Sequence, residues 1–262
     1  MNVMVRAADR AARGLKRDFG EVEQLQVSKK GPADFVSSAD LKAEQVLREE
    51  LGKARPDHSF LMEEAGAVAN TGTRRWIVDP LDGTTNFLHG LPHFAISIAL
   101  EEKGEILAGL VYDPVKEELF TAEKGGGAYL NGRRLRVSGR TRLEESLLGT
   151  GIPFKGAGDH ERFALELTQV MDQVSGVRRW GAAALDLAYV AAGRLDGYWE
   201  RGLSPWDVAA GVLLVSEAGG MVSAIDGGTW LLEGDDILAT NPALQSSLSA
   251  LLRSRKGATK AR

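Results

Sequence analysis

Asp79 and Asp82 stand three positions apart in the stretch Trp76-Ile77-Val78-Asp79-Pro80-Leu81-Asp82-Gly83-Thr84-Thr85-Asn86-Phe87. Carboxylates are hard oxygen donors, the ligand type that divalent cations such as Mg²⁺ take. The small residues Gly83, Thr84 and Thr85 follow at once, and their free backbone N–H groups could open a helix and favour an anion. Cations held beside an anion-binding helix start would suit phosphate chemistry. An isolated Asp-x-x-Asp is more often a turn and a helix cap. Two further acidic clusters change that balance. Glu63-Glu64 follows the apolar Phe60-Leu61-Met62, and Asp207 follows Trp206 and precedes Val208-Ala209-Ala210-Gly211. Each acid sits at the edge of a regular element, so together they point to one divalent-metal cage.

The elements that must position these acids follow from periodicity. Trp76 to Val78 predicts a buried strand that ends at Asp79-Pro80, because proline gives the ladder no N–H. Residues 1–19 predict an amphipathic helix with Met4, Ala7, Ala8, Ala11, Leu15 and Phe19 inward. Lys29-Lys30-Gly31-Pro32 reads as a loop. Ser37-x-x-Asp40 has the form of a capping box and opens a helix with Leu41, Val46, Leu47 and Leu51 inward. Residues 65–75 read as a loop. Strands over 94–100, 106–112 and 118–122, with the type I′ signal Asn131-Gly132, predict a largely antiparallel sheet.

The second half predicts a strand at 146–150 and a helix over 163–174 whose stripe is Phe163, Leu167, Val170, Met171 and Val174. Ala182 to Ala192 predicts a small-residue helix able to pack closely on a sheet. A strand from Leu195 to Trp199 delivers Glu200. Ser204-Pro205 marks a helix N-cap and first position, and Gly219 its stop. Strands follow at 221–225 and 237–240, and Asn241-Pro242 starts the last helix. This is an α+β arrangement in two halves, residues 1–145 with the acidic motifs and 146–252 completing the site. Residues 253–262 form a basic tail.

Composition excludes several classes. The 262 residues suit one large domain or two packed halves, and the formal net charge of −4 gives no strong field for nucleic acid or acidic membrane. No cysteine is present, so there is no disulfide, thiol nucleophile or cysteine zinc site. Arg6, Asp9, Arg10 and Arg13 interrupt the N-terminal segment, which lacks a signal-peptide core. No apolar run reaches the roughly 18 residues of a membrane span, so a cytoplasmic location is expected. His89 and His93 bracket Gly90 and Pro92, which break any helix that could align them on zinc.

DPLDGTTNF at 79–87, with LMEEAG at 61–66 before it and WDVAAGVLLVSEAGG at 206–220 after it, resembles the inositol monophosphatase family of magnesium-dependent, lithium-sensitive phosphatases. The likeness runs from about Lys29 to the helix after Asn241, and residues 181–207 are similar to the bacterial branch in particular. It implies a layered α/β/α/β/α sandwich of two sheets with flanking and intervening helices. It implies two or three Mg²⁺ held by Glu63, Asp79, the Leu81 carbonyl, Asp82 and Asp207. Thr84 and Glu63 would orient the attacking water, with Asp40 accepting the Thr84 proton. The N–H groups of Gly83 and Thr84 would hold phosphate, Glu200 would accept a ring hydroxyl, Gly181, Ala182 and Ala183 would line the substrate, and Lys29 would stand near the metals. A homodimer hydrolysing myo-inositol monophosphate is the implied state and activity. The same chemistry on fructose 1,6-bisphosphate, histidinol phosphate, a nucleotide 3′-phosphate or NADP is the nearest alternative. A regulatory, RNA-associated role is a different one, to which the basic tail (Arg253, Arg255, Lys256, Lys260, Arg262) gives the local support.

Overall fold

The strand that carries Asp79 and Asp82, β5 (Arg74–Asp82), lies inside an eight-stranded sheet. In space the order is β10 (Arg133–Arg134), β9 (Gly127–Leu130), β8 (Glu118–Glu123), β7 (Glu105–Asp113), β6 (Ala95–Glu102), β5, β3 (Ser59–Met62) and β4 (Gly66–Val68). All neighbours are antiparallel except β3 and β5, which run parallel. From Trp76 onward every residue of β5 is buried. A strand covered on both faces needs an unbroken apolar run, as Trp76-Ile77-Val78 supplies. The computed structural model describes residues 1–21, 27–31, 34–153, 158–234 and 236–253, with backbone alone for 27–31 and 34–36.

Helices α1 (Asn2–Phe19) and α2 (Ser38–Ala54) pack on each other and on one face of this sheet. Small residues of both helices, Ala7, Ala8, Ala11, Ala39 and Ala43, are buried in one apolar cluster with Met4, Leu15, Leu47 and Leu51. On the other face lie α5 (Ala183–Ala191) and α6 (Pro205–Glu217), shared with a second, five-stranded sheet. That sheet runs β12 (Gly176–Arg178), β11 (Leu147–Thr150), β13 (Gly197–Arg201), β15 (Asp236–Thr240) and β14 (Met221–Ser223). Its far face carries α4 (His160–Met171) and α7 (Gln245–Arg253). The layers are therefore helix, sheet, helix, sheet, helix, with one apolar cluster under each outer pair of helices and one that spans both faces of the central pair.

Several elements differ from the sequence reading, each for a physical reason. The strand does not stop at Pro80 but runs on to Asp82. Asp79 faces Ser97 on β6 and Asp82 faces Ala95, so one extra residue on β5 forms a bulge around Pro80 and Leu81. A bulge leaves a backbone N–H unneeded, which is where a strand tolerates proline. Residues 65–75 hold the short edge strand β4 and the start of β5. Lys29 to Gly31 belongs to a strand, β1 (Val27–Gly31), paired with β2 (Asp34–Ser37).

Leu41 is 53% exposed and Met171 is 54% exposed, so neither faces inward. On α4 the buried face instead includes Glu166, held by Arg162 and Arg201. The last helix begins at Gln245, because the Asn241 side chain accepts from the N–H of Leu244 and closes a turn first. The small-residue helix α5 packs mainly on α6 rather than on a sheet. The basic tail beyond Arg253 lies outside the described residues.

Candidate active site

Strand register brings the first acids together. Met62 pairs with Val78 across the parallel β3–β5 ladder, so Glu63 and Asp79 leave it side by side, and the N–H of Glu63 bonds the Val78 carbonyl at 3.2 Å. On the other flank of β5, Ser97 faces Asp79. The Ser97 hydroxyl donates to the Trp206 carbonyl at 3.1 Å, which fixes the start of α6 beside the site. The next residue, Asp207, accepts from the N–H of Ser204 at 2.7 Å and so also caps its own helix. One carboxylate therefore both closes the capping box of α6 and lines the site.

The bulge turns Asp82 toward the second half of the chain. Its Oδ2 accepts from the N–H of Ala184 at 2.7 Å, one of the unpaired donors in the first turn of α5. Gly83 then adopts φ 94°, a left-handed conformation that suits glycine. A Cβ there would stand 3.0 Å from the His93 carbonyl and 3.3 Å from the Ala182 side chain. Thr84 begins the short helix α3 (Thr84–Leu88). Its hydroxyl lies 3.0 Å from both Oδ1 of Asp40 and the Leu81 carbonyl.

Asp40 is fully buried in the first turn of α2. The N–H of Ser37 donates to its Oδ2 at 2.9 Å, and the Ser37 hydroxyl does so as well, completing a capping box. One turn further along α2, Glu44 accepts from the N–H of Glu64 at 2.8 Å. One helix thus supports both the Thr84 hydroxyl and the acidic turn after β3.

These residues converge on a cavity of about 270 Å³. Glu63, Asp79, Leu81, Asp82, Gly83, Thr84, Gly181, Ala182, Ala183, Glu200 and Asp207 all line it. Asp40 stands behind Thr84. Lys29 lies on β1, and its side chain is outside the described ones. Five carboxylates on the wall face two cations, Arg179 and Arg201. Arg201 is already engaged by Glu166 and Asp236.

The electrostatics follow from that imbalance. Burial, then repulsion from Glu63, Asp82 and Asp207, pushes the Asp79 carboxyl well above its ordinary value. Burial raises Asp82 to about 7, against the Ala184 N–H, with Glu200 and Glu63 adding to the rise. Glu200 is likewise raised to about 7, by burial first. Asp40 is raised by burial, opposed by its bonds to Ser37 and Thr84.

Carboxylate oxygens gathered on one wall, those of Asp79 and Asp82 buried, fit hard divalent cations in donor type. Among the described residues, no three His, Asp or Glu side chains already stand close enough to enclose one ion. The fit therefore lies in the donor set and its convergence on one wall. Mutual repulsion favours spreading such carboxylates apart.

A sequence model described as the inositol monophosphatase family matches residues 1–257. The chain belongs to the inositol monophosphatase family. An inositol-1-monophosphatase of Mesorhizobium japonicum is 60% identical over 249 residues, covering 95% of this chain and 94% of that protein. The crystal structure of extragenic suppressor protein suhB from Bartonella henselae has a TM-score of 0.95 and 55% identity, covering 97% of this chain and 98% of that one. The Nus factor SuhB of Pseudomonas aeruginosa is 48% identical, over 92% of this chain and 91% of that protein. For a member of this family, the motifs quoted above thus sit within a likeness that spans nearly the whole chain.

Other residues at this inositol monophosphatase site escape a sequence reading. Asn86 donates to the carbonyls of His93 at 2.9 Å and Trp180 at 2.7 Å, tying the turn after β5 to the loop before α5. The sequence places Asn86 in the motif without showing that the two carbonyls lie in reach. Asp186, 1% exposed on α5, has an Oδ1 with no hydrogen-bond partner among the described atoms. Burial, then Glu200 and Asp82, raises its carboxyl well above the ordinary range. Its only sequence signal is an acid within an otherwise apolar helix.

Proposed function

We propose that this chain is a Mg²⁺-dependent phosphomonoesterase that converts myo-inositol monophosphate to myo-inositol and phosphate. One observation carries the reading: Glu63, Asp79, Asp82 and Asp207, from three separate stretches of chain, line one cavity beside the Thr84–Asp40 pair. The inositol-1-monophosphatase name of the 60% identical relative supports inositol phosphate over the other monoesters.

In this reading Glu63, Asp79, the Leu81 carbonyl, Asp82 and Asp207 hold the metal. When bound, Mg²⁺ supplies positive charge for the phosphoryl oxygens and acidifies a water molecule. Asp40, kept in place by Ser37, accepts the Thr84 proton. The Thr84 oxygen then has a lone pair free to accept from the attacking water, and Glu63 shares that water. The Glu200 carboxylate accepts a hydroxyl of the polyol, while Gly181, Ala182 and Ala183 form the wall beside it. Gly83 and Thr84 offer backbone N–H groups to the phosphate, and Lys29 adds positive charge nearby. A cytoplasmic homodimer sensitive to Li⁺ completes the reading.

The test is phosphate release from a panel of monoesters, with Mg²⁺, with chelator, and with added Li⁺. Myo-inositol monophosphate should give the highest kcat/KM, activity should vanish with chelator, and Li⁺ should inhibit. Preference for fructose 1,6-bisphosphate, histidinol phosphate, a nucleotide 3′-phosphate or NADP would displace inositol phosphate. Sedimentation at micromolar concentration reads the oligomeric state. Among the described residues no helix is long and apolar enough to cross a membrane.

The 48% identical relative named Nus factor SuhB keeps a regulatory, RNA-associated role on the same fold as the second reading. An RNA gel shift that weakens with salt and disappears on deleting 253–262 would support it. No shift at low salt would dismiss it.

A further inference from the structure

Glu200 reaches the cavity from β13, and its carboxylate is seated from behind. Tyr198 and Glu200 are two apart on one strand, so their side chains share a face. Tyr198 is completely buried, and its hydroxyl donates to Oε2 of Glu200. The neighbouring strand β11 runs parallel, pairing Gly149 with Tyr198 and Thr150 with Trp199. The next residue, Gly151, lies against the same carboxyl. A Cβ at Gly151 would overlap Glu200, and the three nearest atoms are the carboxyl carbon and its two oxygens. At Gly149 a Cβ would press on the Tyr198 ring at 3.2 Å and on Leu195 at 2.9 Å.

A glutamate side chain has several free torsions, and fixing them on binding costs conformational entropy. A buried phenol that already holds one carboxylate oxygen removes most of that cost before substrate arrives. It also leaves the second oxygen to accept from another donor, on a residue that lines the cavity. Gly151 keeps the space that this orientation occupies.

We infer that Tyr198 is a positioning residue for Glu200, that Gly151 is the space it requires, and that the two together set the preference for esters of polyols over esters whose alcohol carries no hydroxyl. The inference rests on the phosphatase reading above, in which Glu200 accepts a substrate hydroxyl. Tyr198 itself touches Glu200, not substrate.

The experiment measures kcat and KM with Mg²⁺ on myo-inositol 1-phosphate and on p-nitrophenyl phosphate. The proteins are wild type, Tyr198→Phe, Gly151→Ala, Glu200→Ala and the double variant Tyr198→Phe/Glu200→Ala. Tyr198→Phe and Gly151→Ala should each lower the polyol-to-aryl ratio of kcat/KM by about tenfold, chiefly through KM on the polyol ester. In the Glu200→Ala background Tyr198→Phe should leave that ratio where Glu200→Ala alone puts it. Tyr198→Phe keeps the ring that packs in the core, so it is the variant that decides if Gly151→Ala fails to fold. Equal losses on the two esters would show that Tyr198 serves packing alone, and a further fall in the ratio in the double variant would show that it acts other than through Glu200; either result overturns the inference. Wild-type protein that hydrolyses neither ester overturns the phosphatase reading and this inference with it. Wild-type activity on both esters with no change of ratio in Tyr198→Phe overturns this inference only.

Discussion

The N–H of Ala184 sits 2.7 Å from Oδ2 of Asp82, joining the first turn of α5 to the end of β5 across 102 positions of sequence. The acid that ends β5 and lines the cavity is therefore also the cap of a helix from the other half of the chain. That dual use makes the Asn and Ala variants at this position behave differently.

Asparagine at 82 keeps an oxygen for Ala184 and removes the charge. The carboxyl of Asp82 is raised to about 7 in the fold, from an ordinary value near 3.8. A raised carboxyl binds its proton more tightly when folded, so its contribution to stability is full below about 4 and is lost as pH rises to about 7. In chelator at pH 8, Asp82→Asn should therefore melt above wild type, and the gap should close near pH 4. With Mg²⁺ the order should reverse, and kcat should fall by at least about a hundredfold. Asp82→Ala also loses the cap and should melt lower than Asp82→Asn by an amount equal to about 1–2 kcal/mol. Calorimetry at the two pH values decides, and a lower melting temperature for Asp82→Asn in chelator at pH 8 would refute the account.

Ser97 holds the start of α6 through the Trp206 carbonyl at 3.1 Å while facing Asp79 across the ladder. Ser97→Ala leaves that carbonyl without its donor and should cost about 1 kcal/mol in urea unfolding. Because Asp207 follows Trp206, the Mg²⁺ concentration for half-maximal activity should rise several-fold. An unchanged Mg²⁺ dependence beside a normal stability loss would mean that Ser97 supports the fold alone.

Gly211 on α6 allows α5 to approach closely. A Cβ there would stand 2.5 Å from Cβ of Leu187 and 2.6 Å from its Cδ1. Gly211→Ala gains helix propensity of about 1 kcal/mol but must push α5 aside. Overpacking should win, with a net destabilisation of about 1–2 kcal/mol and a lower melting temperature. Leu187→Ala in the same chain should restore part of the loss, and failure to do so would exclude this contact as the cause.

What the sequence made legible was whatever depended on side-chain type. The spacing of Asp79 and Asp82, the pairs Ser37/Asp40 and Ser204/Pro205, and the turn at Asn131-Gly132 all name their roles in the residues themselves. At the turn both residues do adopt positive φ, 48° and 78°. Illegible were features set by backbone groups and empty space. The donor that meets Asp82 is a peptide N–H, which any residue at 184 except proline would carry. The bulge around Pro80 follows from register with β6. The seat of Glu200 depends on what Gly151 lacks. Asp186 and Glu166 stand in helical segments whose sequence does not say where an acid points, and tertiary packing buries both.

His93 gives a pH dependence of opposite sign. Its ring stacks among Trp180 at 5.5 Å and Tyr189 at 6.0 Å, and its Nε2 is buried with no partner among the described atoms. Burial, then the nearby Lys116, lowers its pKa to about 4 from the ordinary 6.5, with Asp113 opposing. A base whose pKa is depressed in the fold is protonated first in the unfolded chain. Its contribution to stability is thus full above about 6.5 and is lost as pH falls toward 4, by on the order of 3 kcal/mol. Phenylalanine has a similar ring and nothing to protonate. The difference in unfolding free energy between His93→Phe and wild type should therefore shift in favour of the variant by about 2–3 kcal/mol between pH 7.5 and pH 4.5. Subtracting the two proteins cancels the raised acids and His58, whose pKa is also lowered by burial. Urea titrations at the two pH values measure the shift, and a difference that does not change with pH would show that His93 charges freely in the folded state.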